Sequence, residues 1–156
     1  MKSKNVLLVL LLTISSFMFA QKKKIPADFK LEYKYNAGMV QLREDLQLTK
    51  DKGTYKAFEK GKDFSVIFVK KNNAEIQKLY EKLYTSGFFN LKQEEASDVK
   101  VIEEVKDKAS KTVSVFVEGK NYFLDEDYIV GMEAEQAKIV RAAFVIIEEF
   151  TKKRRK

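Results

Sequence analysis

The stretch that decides the fold is NAEIQKLYEKLYTSGFFNLK, Asn73 to Lys92. Ile76, Leu79, Tyr80, Leu83 and Tyr84 recur at three- and four-residue spacing and so share one face of a helix, while Glu75, Lys78, Glu81 and Lys82 fall on the remainder. Asn73 is a suitable N-cap, and Gly87 can take the left-handed conformation that ends a helix. Phe88 and Phe89 add apolar area where the chain leaves it. Burying each large apolar side chain is worth roughly 1.5–3 kcal/mol. A helix with such a face needs a sheet or a second helix to lie on.

The residues before it supply a sheet. Phe29, Leu31, Tyr33 and Tyr35 alternate with Lys30, Glu32, Lys34 and Asn36, the period of a half-buried strand. After the turn signal Asn36-Ala37-Gly38, the residues Val40, Leu42, Leu46 and Leu48 share one face of a second strand. Glu44 interrupts that face, which points to a bulge or to the end of the sheet. Lys50-Asp51-Lys52-Gly53 reads as a turn with Gly53 at positive φ, and Thr54 to Lys60 as a third strand. Gly61-Lys62 turns the chain again. Asp63 to Lys70, DFSVIFVK, is β-branched and aromatic on both faces after Ser65, the pattern of a central or doubly covered strand. Four strands on short turns make an antiparallel meander.

Beyond the helix, Gln93 to Lys111 is heavily charged, with Val99, Val101, Ile102 and Val105 scattered through it; it fits a loop with a short strand or a short helix. Thr112 to Glu118 is a strand, Glu118-Gly119-Lys120-Asn121 fits a hairpin turn, and Tyr122 to Leu124 returns. Glu133 to Phe150 is a second helix, apolar all round from Ala142 to Ile147. Glu133 and Glu135 lie at its positive end and a basic tail follows its negative end. The expected fold is α+β: an antiparallel β-meander plus a hairpin, with two helices packed on one face.

The chain opens with Lys2 and Lys4, an apolar run from Val6 to Ile14, and Ala20 before a polar stretch, the pattern of a secretory signal peptide over residues 1–20. The run is short for a span of about 20 residues. A cut after Ala20 leaves Met18 at the −3 position. No cysteine follows, which excludes a lipid anchor on an N-terminal cysteine. The organisation expected is a leader (1–20), a loose basic arm (21–28), one domain (29–151) and a basic tail (152–156). The absence of cysteine removes disulfides, thiol nucleophiles and cysteine metal sites together.

The formal charge of +7 is misleading. Lys22-Lys23-Lys24 and the closing KKRRK hold much of the positive charge, and the body between them is mildly acidic. Residues 25–92 carry 13 positive and 9 negative side chains, residues 93–151 only 7 against 14. A nucleic-acid binder shows its basic patch on a folded face, so that role is not expected. The tail reads as a solubilising end, with weak contact to an anionic membrane as its functional alternative.

The chain has no histidine, which removes Ser-His-Asp triads, HExxH zinc sites and the usual general base near neutrality. GxSxG, GxGxxG and GxxxxGK[ST] do not occur. Ser97-Asp98-Val99-Lys100 matches S-x-x-K only formally. Asp125, Glu126 and Asp127, with Gly131, Glu133 and Glu135, form the best cation candidate, yet they miss the EF-hand pattern: the glycine is one place late, Ile129 stands at a ligand position, and Gln136 replaces the bidentate glutamate. The alternative is a solvated acidic turn leading into a helix. If one sheet face is left uncovered, Tyr35 and Phe58 could form a binding surface.

Three short motifs, Asn36-Ala37-Gly38, Gly87-Phe88-Phe89 and Glu118-Gly119-Lys120, lie in a layout that resembles small secreted bacterial proteins related to emfourin, an inhibitor of thermolysin-like metalloproteases. The likeness spans about Phe29 to Phe150. That family's first turn tends to carry paired glycines, where this chain has only Gly38. The resemblance implies an inhibitor presenting a loop, Asn36 to Met39 or Glu118 to Asn121. The residues themselves favour an exported, non-catalytic binding or accessory protein with no cofactor, whose partner is a protein or a cell-envelope component. A carboxylate-dependent enzyme or calcium binder using Asp125, Glu126 and Asp127 is the third expectation.

Overall fold

The alternation beginning at Lys30 forms the strand at the heart of the sheet. A computed structural model describes residues 23–38, 42–69, 73–91 and 109–154. The leader, the S-x-x-K match and most of Gln93 to Lys111 lie outside these residues. The strands are β1 (Lys30–Asn36), β2 (Leu42–Thr49), β3 (Lys52–Glu59), β4 (Lys62–Val69), β5 (Ser110–Val117) and β6 (Lys120–Asp125). The helices are α1 (Asn73–Thr85) and α2 (Ala134–Lys152), with 3₁₀ turns at Phe88–Asn90 and Glu126–Gly131. The six strands form one sheet in the order β4-β3-β2-β1-β5-β6. Every pairing is antiparallel, so the closing hairpin docks against β1 and not against the end of the meander. The α+β class with two helices is as expected from the sequence.

Two hairpins owe their register to tight turns. Lys60-Gly61 and Glu118-Gly119 each hold two successive residues at positive φ, the type I′ geometry whose twist matches paired strands. Lys60 and Glu118 are the only non-glycine residues at positive φ among those described. One face of the sheet then presents Leu31, Tyr33, Leu46, Leu48, Tyr55, Phe68, Val113, Val115, Tyr122 and Leu124, all buried. Against it lie Ile76, Leu79, Tyr80 and Leu83 of α1, together with Val140, Ala143, Phe144 and Ile147 of α2. Tyr84 departs from the expected helix face. It is largely exposed, with its ring against Phe89 and the Lys23 ammonium 5.2 Å above it.

Gly87 adopts φ 82°, which ends the helix and turns Phe88 inward. Phe88 is fully buried, and its ring meets Phe89 at 5.1 Å and Tyr122 at 5.4 Å. The Tyr122 hydroxyl donates to the Phe89 carbonyl at 3.2 Å. Burial pushes the neighbouring Tyr80 phenol up to about 12, with the Glu118 charge adding to the shift.

Several local readings change in three dimensions. The strand β4 is an edge strand, not a central one: Ile67 is 69% exposed and Phe64 is exposed as well. Glu44 sits in an unbroken ladder, between Tyr35 of β1 and Ala57 of β3, and no bulge forms there. It is buried and accepts a hydrogen bond from the Tyr55 hydroxyl. Gly53 is not at positive φ and lies inside β3. A Cβ at Gly53 would overlap the Phe68 ring and the Leu48 side chain, so glycine is there for close approach.

Both ends of the described chain are tied down. The arm is held by the Gln77 amide donating to the Lys23 carbonyl at 2.7 Å and by Asp28 accepting from the Gly119 N–H at 2.9 Å. At the other end α2 continues to Lys152, and Arg154 packs its guanidinium 3.5 Å from the Phe150 ring centre and 4.4 Å from that of Phe68. It also pairs with Glu75 of α1 at 2.7 Å, and its side chain is 8% exposed. Burial pulls its pKa down, opposed by Glu75. Within KKRRK, Arg154 therefore belongs to the core.

Gly53→Ala is expected to destabilise the protein by about 1–3 kcal/mol, the usual cost of overpacking a filled core. The check is the midpoint of urea unfolding, which should fall with no change in slope.

Candidate binding site on the open sheet face

Because side chains alternate along each strand, burying one set on the helices leaves the other set facing away. Among the described residues none of these outward side chains is buried. The exposed apolar members are Ile67 of β4, Phe116 of β5 and Phe123 of β6. At the Asn36 end the face is hollowed into a groove of about 690 Å³. Two cross-strand rows of outward residues line it, and the helix-side row between them, Phe64, Ala57, Glu44 and Tyr35, also borders it. The first runs Asp63, Phe58, Arg43, Asn36, from β4 to β1. The second runs Ser65, Lys56, Asp45, Lys34, Thr112, Asp125, from β4 to β6.

Charge alternates along the second row. Asp45 stands between Lys56 and Lys34, its direct neighbours in the two ladders. Its Oδ2 accepts from the Gln47 amide at 3.3 Å. Its Oδ1 is shut off from solvent and has no hydrogen-bond partner. A buried acceptor left without a donor costs about 1–3 kcal/mol.

Of the residues singled out from the sequence, Tyr35, Asn36, Phe58, Asp125 and Asp127 come together at this groove. Tyr35 and Phe58 do not share a sheet face, however. Tyr35 pairs with Glu44, which pairs with Ala57, so it belongs to the helix-side row. The Lys111 ammonium lies 5.6 Å above its ring. Phe58 belongs to the open face and is half-buried. Asn36 uses its side-chain oxygen to accept the Gly38 N–H at 3.1 Å, and Gly38 takes φ 60°. Gly119 sits at the other end of β1, beside Asp28, so the two turns considered as inhibitory loops occupy opposite ends of the sheet.

The acidic run is divided among separate tasks. Asp125 accepts the Asp127 N–H at 3.0 Å and caps the 3₁₀ turn. Glu126 pairs with Lys111 at 3.2 Å, and Lys111 also reaches Glu148 of α2 at 2.8 Å. Burial pulls the Lys111 ammonium down, but the carboxylates of Glu148 and Glu126 outweigh it and the net shift is upward. Among the described residues no three acidic, histidine or cysteine side chains gather as a metal would require. No helix among them is long and apolar enough to cross a membrane.

Sequence reading passed over Lys34, Arg43, Asp45 and Lys56. Their signal is that polar members of alternating strands become a patch once the strands are in register. No protein-family profile matches the chain, and no curated protein or solved structure does either.

Asp28 offers a pH test of the Gly119 turn. The N–H groups of Gly119 and Glu118 hold its carboxyl below the usual range. A lowered folded-state value stabilises above the unfolded pKa of about 3.9 and is lost as pH falls through the folded value. Asp28→Asn should therefore unfold with a shallower acid dependence below about pH 4 than the parent. Thermal melts across pH 2–7 would check this, and identical acid slopes would refute it.

Proposed function

We propose that this is an exported, non-catalytic binding protein whose binding surface is the open face of the sheet. The observation that carries this reading is the groove. An antiparallel sheet covered on one side can leave its other side merely solvated. Here the uncovered side holds a hollow lined by Phe58, with Tyr35 and Phe64 also at it, and by both signs of charge, with exposed Ile67, Phe116 and Phe123 elsewhere on the face. Pockets of roughly 300–1,000 Å³ suit small ligands or single side chains of a partner. Support for a role without covalent chemistry comes from the missing histidine and cysteine. Export is supported by the lysine-flanked apolar run before Ala20. The partner class is a protein or another component of the cell envelope.

Affinity capture from the native envelope fraction tests the surface. The parent protein should retain a component that Phe58→Asp and Ile67→Asp lose, while Lys82→Ala on the helix side keeps it. Equal retention by all four proteins would refute the assignment of the face. Intact-mass measurement of the protein recovered from the envelope or medium is expected to give a chain beginning at Gln21; a mass retaining residues 1–20 would refute processing there.

A further inference from the structure

Among the described residues β4 ends the sheet, and no backbone hydrogen bond outside the ladders reaches it. We propose that this edge pairs with the same edge of a second copy of the chain, antiparallel and centred on Val66, so that one sheet runs through both molecules. The pairing goes beyond the binding role of the open face and stands without it.

The Lys60-Gly61 turn fixes which backbone groups are free. A two-residue hairpin makes its flanking residues, Glu59 and Lys62, a hydrogen-bonded pair, and every second pair after it repeats the pattern. Lys62, Phe64, Val66 and Phe68 therefore turn their N–H and C=O groups toward β3. Those of Asp63, Ser65, Ile67 and Val69 point out of the sheet. Edge strands are ordinarily blunted by lysine, proline, a bulge or short length. From Phe64 to Val69 this strand has no charge, proline or glycine, and its register with β3 is unbroken. The opposite edge, β6, is shorter and carries Lys120 and Asp125 at its ends.

The occupant follows from the strand's own sequence. Two-fold pairing about Val66 sets Phe64 opposite Phe68 of the second copy, Ser65 opposite Ile67, and Val66 opposite itself, with no like charges face to face. Ser65 and Ile67 both belong to the outward-pointing set, so they meet as a hydrogen-bonded pair. Phe64, 42% exposed, comes beside Phe68, whose ring already packs on Phe150 and Arg154. A centre one residue earlier puts Lys62 opposite Phe68 and Asp63 opposite Ile67; one residue later, the paired run shortens to Ser65 through Val69. The axis is normal to the sheet, so both open faces lie on the same side. Ile67 of the second copy then stands beside Ser65, at the rim of the groove. An edge contact is small against the roughly 1,200–2,000 Å² of a stable interface, so the dimer is weak and reversible.

Sedimentation equilibrium of the purified protein, from about micromolar to about millimolar concentration, should show a monomer–dimer equilibrium. Ser65→Pro removes an outward N–H and no bond to β3, and Ile67→Lys puts a charge on the edge. Each should stay monomeric over that range with an unchanged circular dichroism spectrum. The chain has no cysteine, so single ones report the register. Val66→Cys faces itself in a pair without hydrogen bonds, with Cα atoms about 4.5 Å apart. On mild oxidation it should form a disulfide dimer faster than Ile67→Cys, although Ile67 is the more exposed. A protein that stays monomeric throughout, association that Ser65→Pro and Ile67→Lys leave intact, or equal or faster oxidation of Ile67→Cys overturns the proposal.

Discussion

Strand β1 is paired along its whole length on both sides, and the rest of the structure depends on that. Leu31 faces Leu48 on one flank and Val115 on the other; Tyr33 lies between Leu46 and Val113. All six side chains are buried. The β1–β2 pairing is local, whereas the β1–β5 pairing joins residues separated by most of the folded chain. Loop-closure entropy grows only slowly with length, so the distant pairing is affordable once a hydrophobic row rewards it. Without that second flank, α2 would lose Val113 and Val115 as part of its bed, and α1 would lose Tyr122 beside Phe88.

Around this core the polar groups act as fasteners. Arg154 illustrates how: its guanidinium stacks on Phe150 and Phe68, and its outer nitrogen reaches Glu75. The stacked, partly desolvated geometry makes the contact worth more than an exposed ion pair, and much of its value is packing. Lys82 with Glu149 joins the same two helices at 3.0 Å in the open, where solvent and salt leave such pairs worth little. Lys82 still holds the Glu149 carboxyl below its usual range. Glu44 is a different case. A buried carboxylate is costly unless it is satisfied, and the Tyr55 hydroxyl is one group that meets it.

The sequence made the elements legible because period two and period 3.6 are local properties. Strand number, helix positions and the two glycine hairpins could all be read from neighbouring residues. What was not legible required knowledge of spatial neighbours. FSVIFV has the composition of an interior strand, yet β4 ends the sheet, because composition records how readily a strand forms and not how many partners it finds. Gly53 follows a polar turn and reads as part of it; only the Phe68 ring pressed on β3 reveals its role. Arg154 is one cation among five in KKRRK, and its place follows from where α2 ends against Glu75. At the candidate site, Tyr35 and Phe58 look alike in sequence as aromatic strand residues. Pairing Tyr35 with Glu44, and Glu44 with Ala57, puts Phe58 one residue out of step and on the other face.

That single step of parity is what makes a binding role compatible with the fold. Leu46 is sealed in the core while Asp45 and Gln47 beside it face outward, and the same alternation separates Tyr55 from Lys56. The backbone that carries the groove is thus the backbone that carries the core, held from behind by two helices. A groove built this way is stiff without needing rigid side chains of its own, so little ordering remains to be done when a ligand arrives. The outward positions are also released from packing against the helices, although Phe58 and Asp45 stay partly covered by their neighbours. Charge alternation along Lys56, Asp45 and Lys34 is then tolerated by the fold and does not define it.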